Sequence, residues 1–172
     1  AARPARGSSR SQGRGAPARR PYLAIEKILE PGEQLPGWWT TDGTTGYDAL
    51  GEIDRVLIDP AGEAPLTDLD TALRGAPQAW AELIATTKRE IADTSQAAEV
   101  GRLVRTLPAP VRAQLGDAVA RDALAALLAA FPVYRAYLPA GTEHVAHAAT
   151  EASTRRPDLS DAIAALAPLA AE

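Results

Sequence analysis

Across these 172 residues only one stretch, residues 21–28, reads as a β-strand, and a lone strand cannot make a sheet. Its edges must be paired, or they stay open to any other strand. The stretch alternates, with Tyr22, Ala24 and Glu26 on one face and Leu23, Ile25 and Lys27 on the other. It runs into Pro31-Gly32, a dipeptide that starts a loop. Buried strands that deliver a carboxylate to their carboxyl-terminal tip are how (β/α) barrels place catalytic acids. The same pattern arises if Glu26 only closes an ordinary strand, so spacing alone leaves both readings open.

Residues 30–51 read as a long loop rich in Gly, Pro and Thr, with Trp38 and Trp39 in its middle. Loops of that length are usually functional or disordered, and two tryptophans argue against disorder. From residue 63 onward the pattern is helical. Thr67 or Asp68 caps a short helix through Leu73, which Arg74-Gly75 stops. Residues 77–106 predict one long helix, with Pro77 near its first turn and Trp80, Leu83, Ile84 and Ile91 on one face. Pro108 and Pro110 end it. Asp117 begins another, in which Leu124, Leu127, Leu128 and Phe131 follow the helical repeat until Pro132. Residues 133–138 read as a short extended piece. Two further helices follow over 141–154 and 158–170, capped by Thr142 and by Asp158 or Ser160.

Composition narrows the class. Hydrophobic residues make up 46%, but many are alanine and aromatics only 5%, so a helical body with a modest core is expected. Cysteine is absent, which excludes disulfides and thiolate metal sites and fits a reducing, cytoplasmic setting. No run of about 18 apolar residues predicts a membrane span. The net charge of −4 conceals an asymmetry: residues 1–20 hold six arginines and no acid, leaving an acidic body poorly suited to nucleic acid. That leader has no large apolar side chain and is expected to be disordered. It reads as a solvated leader, as a nucleic-acid-binding arm, or as a tract outside the native reading frame.

The strings AIEKILEPGEQLP at 24–36, GTTGYD at 43–48, DPAGE at 59–63 and FPVYRAY at 131–137 resemble the malto-oligosyltrehalose synthases, members of the α-amylase superfamily. The resemblance is good over roughly residues 21–137 and looser beyond. It departs from the family at FPVYRAY, which there more often reads FPVYRTY. It implies that Glu26 is the general acid/base of a retaining reaction. Such chemistry needs two carboxyl groups about 5–5.5 Å apart. The nucleophilic aspartate, expected in an Arg-x-Asp triplet upstream, and a third carboxylate downstream are both missing from this sequence. The chain by itself is therefore expected to be inactive.

Around Glu26 several residues are candidates for holding substrate. Lys27 contacts substrate or forms a salt bridge at a barrel rim. Trp38 and Trp39 stack on glucose rings or anchor their loop. Within GTTGYD, Gly46 permits a tight turn, and Thr45, Tyr47 and Asp48 bind sugar hydroxyls or merely shape the turn. Tyr134 and Arg135 are placed to reach a sugar or an acidic loop, with core packing the favoured reading for Tyr134. His144 and His147 are three apart on a helix, but with no third ligand no metal site is expected. Neither a phosphate-cradling glycine loop nor a serine-elbow triad is present, and the family needs no cofactor.

The resulting expectation is a mainly α chain: one barrel-type β-strand and a long loop followed by a helical insertion region, a fragment of a (β/α)8 barrel enzyme. Its units are a basic leader (1–20), the strand and active-site loop (21–59) and the helical region (60–172). The implied activity converts the reducing-end α-1,4 bond of a maltodextrin to an α,α-1,1 bond. The rival reading is a non-catalytic helical interaction module whose basic tail binds nucleic acid or an acidic partner. A hydrolytic relative is a third, but it should lack the EKILEPGE–GTTGYD pairing.

Overall fold

The computed structural model describes residues 20–171. The expected disorder of the leader falls outside this range except at Arg20, whose guanidinium donates to the Thr40 carbonyl at 3.3 Å and pairs with Asp42. The strand expected over residues 21–28 contracts to β1 (Ala24–Ile25), paired in parallel with β2 (Gly43–Thr44). Ala24 faces Gly43 and Ile25 faces Thr44 in register. Bonds from Asp42 N to Leu23 O (2.7 Å) and from Thr45 N to Ile25 O (2.9 Å) extend the ladder by one step at each end.

The stretch 30–51 is not loop throughout. Besides β2 it holds the start of a helix, α1 (Tyr47–Leu57), which the sequence reading lacked. Gly46, at φ 105°, makes the left-handed turn into α1 that a side chain would resist. Leu50, Ile53, Val56 and Leu57 line one face of α1, yet all four are exposed. The next helix, α2 (Glu63–Arg74), is entered through Pro60–Gly62 rather than capped at Thr67 or Asp68. Gly75, at φ 82°, ends it as expected. Neither α1 nor α2 buries a single residue.

The long helix expected over 77–106 is two: α3 (Trp80–Asp93) and α4 (Ala97–Thr106). Between them Thr94 turns its hydroxyl back to the Glu90 carbonyl at 2.6 Å, and Gln96 N reaches Ile91 O, five residues back. Such side-chain-to-backbone bonds compete with the helical ladder. The predicted face is not the packed one either: Trp80, Ile84 and Ile91 are exposed while Ala92 is buried. Pro108 and Pro110 do more than end a helix. They open a short one, α5 (Ala109–Leu115), at the first-turn positions where proline costs no hydrogen bond.

Helix α6 (Asp117–Ala130) starts at Asp117 as expected and is the hub of the fold. It touches α3, α4, α5, α7 (Thr142–Arg155) and α8 (Ser160–Leu166). Its buried residues are Ala120, Ala123, Ala125, Ala126 and Leu127, whereas Leu128 is 40% exposed. Alanines let five helices approach one axis closely, so the small residues, not the leucine series, mark the core face. Leu159, Ile163 and Leu166 complete the cluster. The proposed caps Thr142, Asp158 and Ser160 make no capping hydrogen bond; Gly141 and Leu159 occupy the cap positions. Residues 133–138 form no strand, only an isolated bridge between Tyr137 and Ala140.

A carboxylate on α6 locks the bundle laterally. Asp122 accepts two bonds from Arg156 at 3.0 and 2.8 Å and pairs with Arg89 of α3. The Arg156 bond, helped by Arg89, holds the Asp122 carboxyl below the usual carboxylate range against the opposing effect of burial. A depressed carboxyl stabilises the fold above the unfolded value near ~3.9 and loses that contribution as pH falls through the folded value. Asp122→Asn is expected to cost about 1–2 kcal/mol at neutral pH. Its urea-unfolding free energy should also fall less steeply below about pH 4 than that of the wild type.

Candidate active site around Glu26

The two motifs meet where β1 and β2 pair. The parallel register sets the start of one motif beside the start of the other, and Tyr47 Oη donates to Glu26 Oε1 at 3.3 Å. The supporting bonds are local. Thr41 Oγ1 donates to Leu23 O at 2.8 Å, and Leu23 N donates to Asp42 Oδ2 at 2.7 Å. Asp42 thus serves β1 through its backbone and Arg20 through its charge, a role the sequence reading missed.

Asp48 is bonded to Thr44 rather than to Glu26. It accepts from the Thr44 hydroxyl, which pulls its carboxyl below the usual range. Thr44 also accepts from Gly46 N at 3.2 Å, so Thr44 and Asp48 shape the turn that launches α1. Thr45 joins the pair through its backbone and leaves its side chain exposed.

Glu26 is exposed, and the burial expected at the strand tip belongs to Lys27, 2% exposed. The Lys27 ammonium lies 2.6 Å from Glu33 Oε1, at angles short of a hydrogen bond, and 5.9 Å from the centre of the Tyr137 ring. Glu33 is itself fixed. Its other oxygen accepts from Glu30 N at 3.0 Å across the Pro31-Gly32 turn. Neither Glu33 nor Tyr137 was picked out from sequence; the i, i+3 pairing of Glu30 and Glu33 around Pro-Gly was the available signal for the first.

The tryptophans divide. Trp39 packs edge-on against Tyr137, with centroids 4.6 Å apart, and so anchors the loop on the helical body. Trp38 packs edge-on against Trp39 at 5.8 Å but stays 68% exposed. A cavity of about 330 Å³ is lined by Lys27, Glu33, Trp38, Arg135, Tyr137 and His144, among others, but not by Glu26 or Tyr47. The candidates therefore form two groups, Glu26–Tyr47 and Lys27–Trp38. Tyr134, expected in the core, is 72% exposed because Val133 takes the buried position. His147 lines a larger cavity of about 610 Å³ between α3, α6 and α7, away from every candidate above, so the two histidines serve different places. Among the described residues no three His, Cys, Asp or Glu side chains group as metal ligands.

With this geometry in hand, known proteins supply the comparison. No family model matches the chain. It is 34% identical over 146 residues to proteins named putative maltooligosyl trehalose synthase from two strains of Mycobacterium tuberculosis, covering 85% of this chain and 19% of each relative. The structure matches the maltooligosyltrehalose synthase from Arthrobacter ramosus with a TM-score of 0.77 and 42% identity, over 88% of this chain and 19% of that one. A mutant of that enzyme gives a TM-score of 0.79. The chain is similar to one section of maltooligosyltrehalose synthase. It spans about a fifth of the length of these relatives, so the resemblance expected from EKILEPGE and GTTGYD is shown for a section, and the mainly helical fold is shared with it. No helix among the described residues is long and apolar enough to cross a membrane.

The ion pair in this synthase-like section yields a measurable asymmetry. Glu33→Gln strands a buried ammonium and is expected to cost about 3 kcal/mol in urea unfolding followed by tryptophan fluorescence. Lys27→Met removes the buried charge itself and leaves Glu33, 11% exposed, still accepting from Glu30 N, so it should cost less.

Proposed function

We propose that this chain carries the acid/base section of a malto-oligosyltrehalose synthase and acts on maltodextrins as part of a (β/α)8 barrel, in the cytoplasm. The observation that carries the reading is the Tyr47–Glu26 contact, which brings two separate motifs to one point at the carboxyl ends of two parallel strands. Ligands of barrel enzymes are handled at that end. The exposed apolar faces of α1 and α2 are consistent with helices that cover more parallel strands than these two.

In this reading Glu26 protonates the glycosidic oxygen while an aspartate from elsewhere in the protein attacks the anomeric carbon. The released glucose, held in place, attacks the glycosyl–aspartate through its anomeric hydroxyl; Glu26 takes that proton as the α,α-1,1 bond forms and the aspartate leaves. Tyr47 steadies the carboxyl group. Asp48 and Thr45 contact the glucan. Water is the competing acceptor, so the site must be closed during transfer. Glu26 is exposed here, and the burial that an acid at neutral pH requires must come from the rest of the barrel.

The test is a chimera in which residues 20–171 replace the matching section of the Arthrobacter ramosus enzyme. The chimera should form α,α-1,1-linked product from maltopentaose, and Glu26→Gln within it should lower kcat by about 10³-fold. The 172-residue chain alone should form none. A folded chimera whose activity survives Glu26→Gln would overturn the assignment.

A further inference from the structure

The cavity beside Lys27 has a chemistry of its own. Its walls come from three segments: the end of β1, the loop that follows, and residues 135–144. At about 330 Å³ it sits at the lower end of the range for small-molecule sites, ~300–1,000 Å³. An ammonium has three N–H donors. That of Lys27 is buried, makes no well-aligned hydrogen bond, and meets one carboxylate oxygen. Buried donors left over in this way are costly unless an oxygen accepts from them.

The lining charges balance, with Lys27 and Arg135 against Glu33 and Glu143, so a free anion gains no net attraction. A ligand that both donates and accepts does better. Trp38 adds an aromatic surface, 68% exposed and held by the edge-on chain Trp38–Trp39–Tyr137. Aromatic stacks of this kind are rigid as well as apolar. An apolar wall facing opposed charges fits the flat, hydroxyl-edged ring of a sugar.

We propose that this cavity is a second glycosyl-binding site, which takes one end of an α-glucan apart from the Glu26–Tyr47 group. The choice of glucan rests on the function proposed above; the site rests on the buried Lys27 and the exposed Trp38.

The chain has three tryptophans, Trp38, Trp39 and Trp80, whose indole N–H signals are separate probes. Trp80 lines the other cavity and serves as the internal control. Titrating the full 172-residue chain with maltopentaose should shift the Trp38 signal saturably and leave Trp80 in place. Lys27→Met should weaken the binding at least tenfold. Arg135→Ala, at an exposed position and safer for folding, should weaken it severalfold. Inorganic phosphate should neither shift Trp38 nor compete. The proposal is overturned if maltopentaose leaves Trp38 unmoved, if both variants bind as wild type does, or if phosphate competes. None of these outcomes bears on Glu26, whose role is read from turnover by the chimera.

Discussion

A buried lysine holds the functional end of this molecule together. Lys27 is one residue past Glu26, and its ammonium is shared between Glu33 on the following loop and the face of Tyr137 from the helical body. Two side chains close in sequence and a third distant from them are joined at one charge. Burying an ion is expensive, and a single contact of poor angle offsets that only in part. The arrangement persists because Glu33 is pinned by the Pro31-Gly32 turn and Tyr137 by Trp39. With the lysine stem directed inward, the preceding residue is left outward, where Tyr47 meets it. Just past the end of β1 the chain thus leaves Glu26 exposed and Lys27 buried.

The helical body works on another principle. Five helices gather on α6 through alanines, which contribute little area each but let the axes come close. Asp122 then supplies what a thin apolar core does not, a bidentate tie from α6 to Arg156 and a second to Arg89. The first stabilises without specifying orientation; the second specifies it. With so few aromatic residues in the chain, that division suits its composition.

Legibility in the sequence followed the range of the interaction. Asp117 opening α6 and Gly75 closing α2 were readable because caps and stops are local. The strand at Ala24–Ile25 was readable, but its parallel partner was not, since Gly43 is a poor strand former and two residues show no alternation; Asp42 and Thr41 bond to Leu23 beside the pair. The helical spacing of Leu50, Ile53, Val56 and Leu57 was present all along, hidden by the glycines before it. Which face of α3 is buried could not be read from Trp80, Ile84 and Ile91, because the small Ala92 on the adjacent side is what packs in. Of the candidate site, the meeting of Glu26 with Tyr47 was implied by two motifs with a common resemblance. Glu33 and Tyr137 were out of reach, for their partner is a lysine whose burial no spacing announces.

The two parts differ in how far they are self-sufficient. Helices α6, α7 and α8 bury their apolar faces on one another. Helices α1 and α2, by contrast, show water every large apolar residue they have: Leu50, Ile53, Val56, Leu57, Leu66, Leu69 and Leu73. A helix of eleven residues draws most of its stability from packing, and α1 has none to draw on here. Yet α1 begins with Tyr47, the residue that touches Glu26. Glu26 is therefore steadied by the least supported helix among the described residues, and its position is only as firm as whatever covers the stripe from Leu50 to Leu57. Apolar surface of this extent marks a contact face rather than a finished surface. Placing Glu26 beside such a face links its geometry to what covers that face: the carboxyl group becomes fixed when the stripe is covered and stays loosely held otherwise.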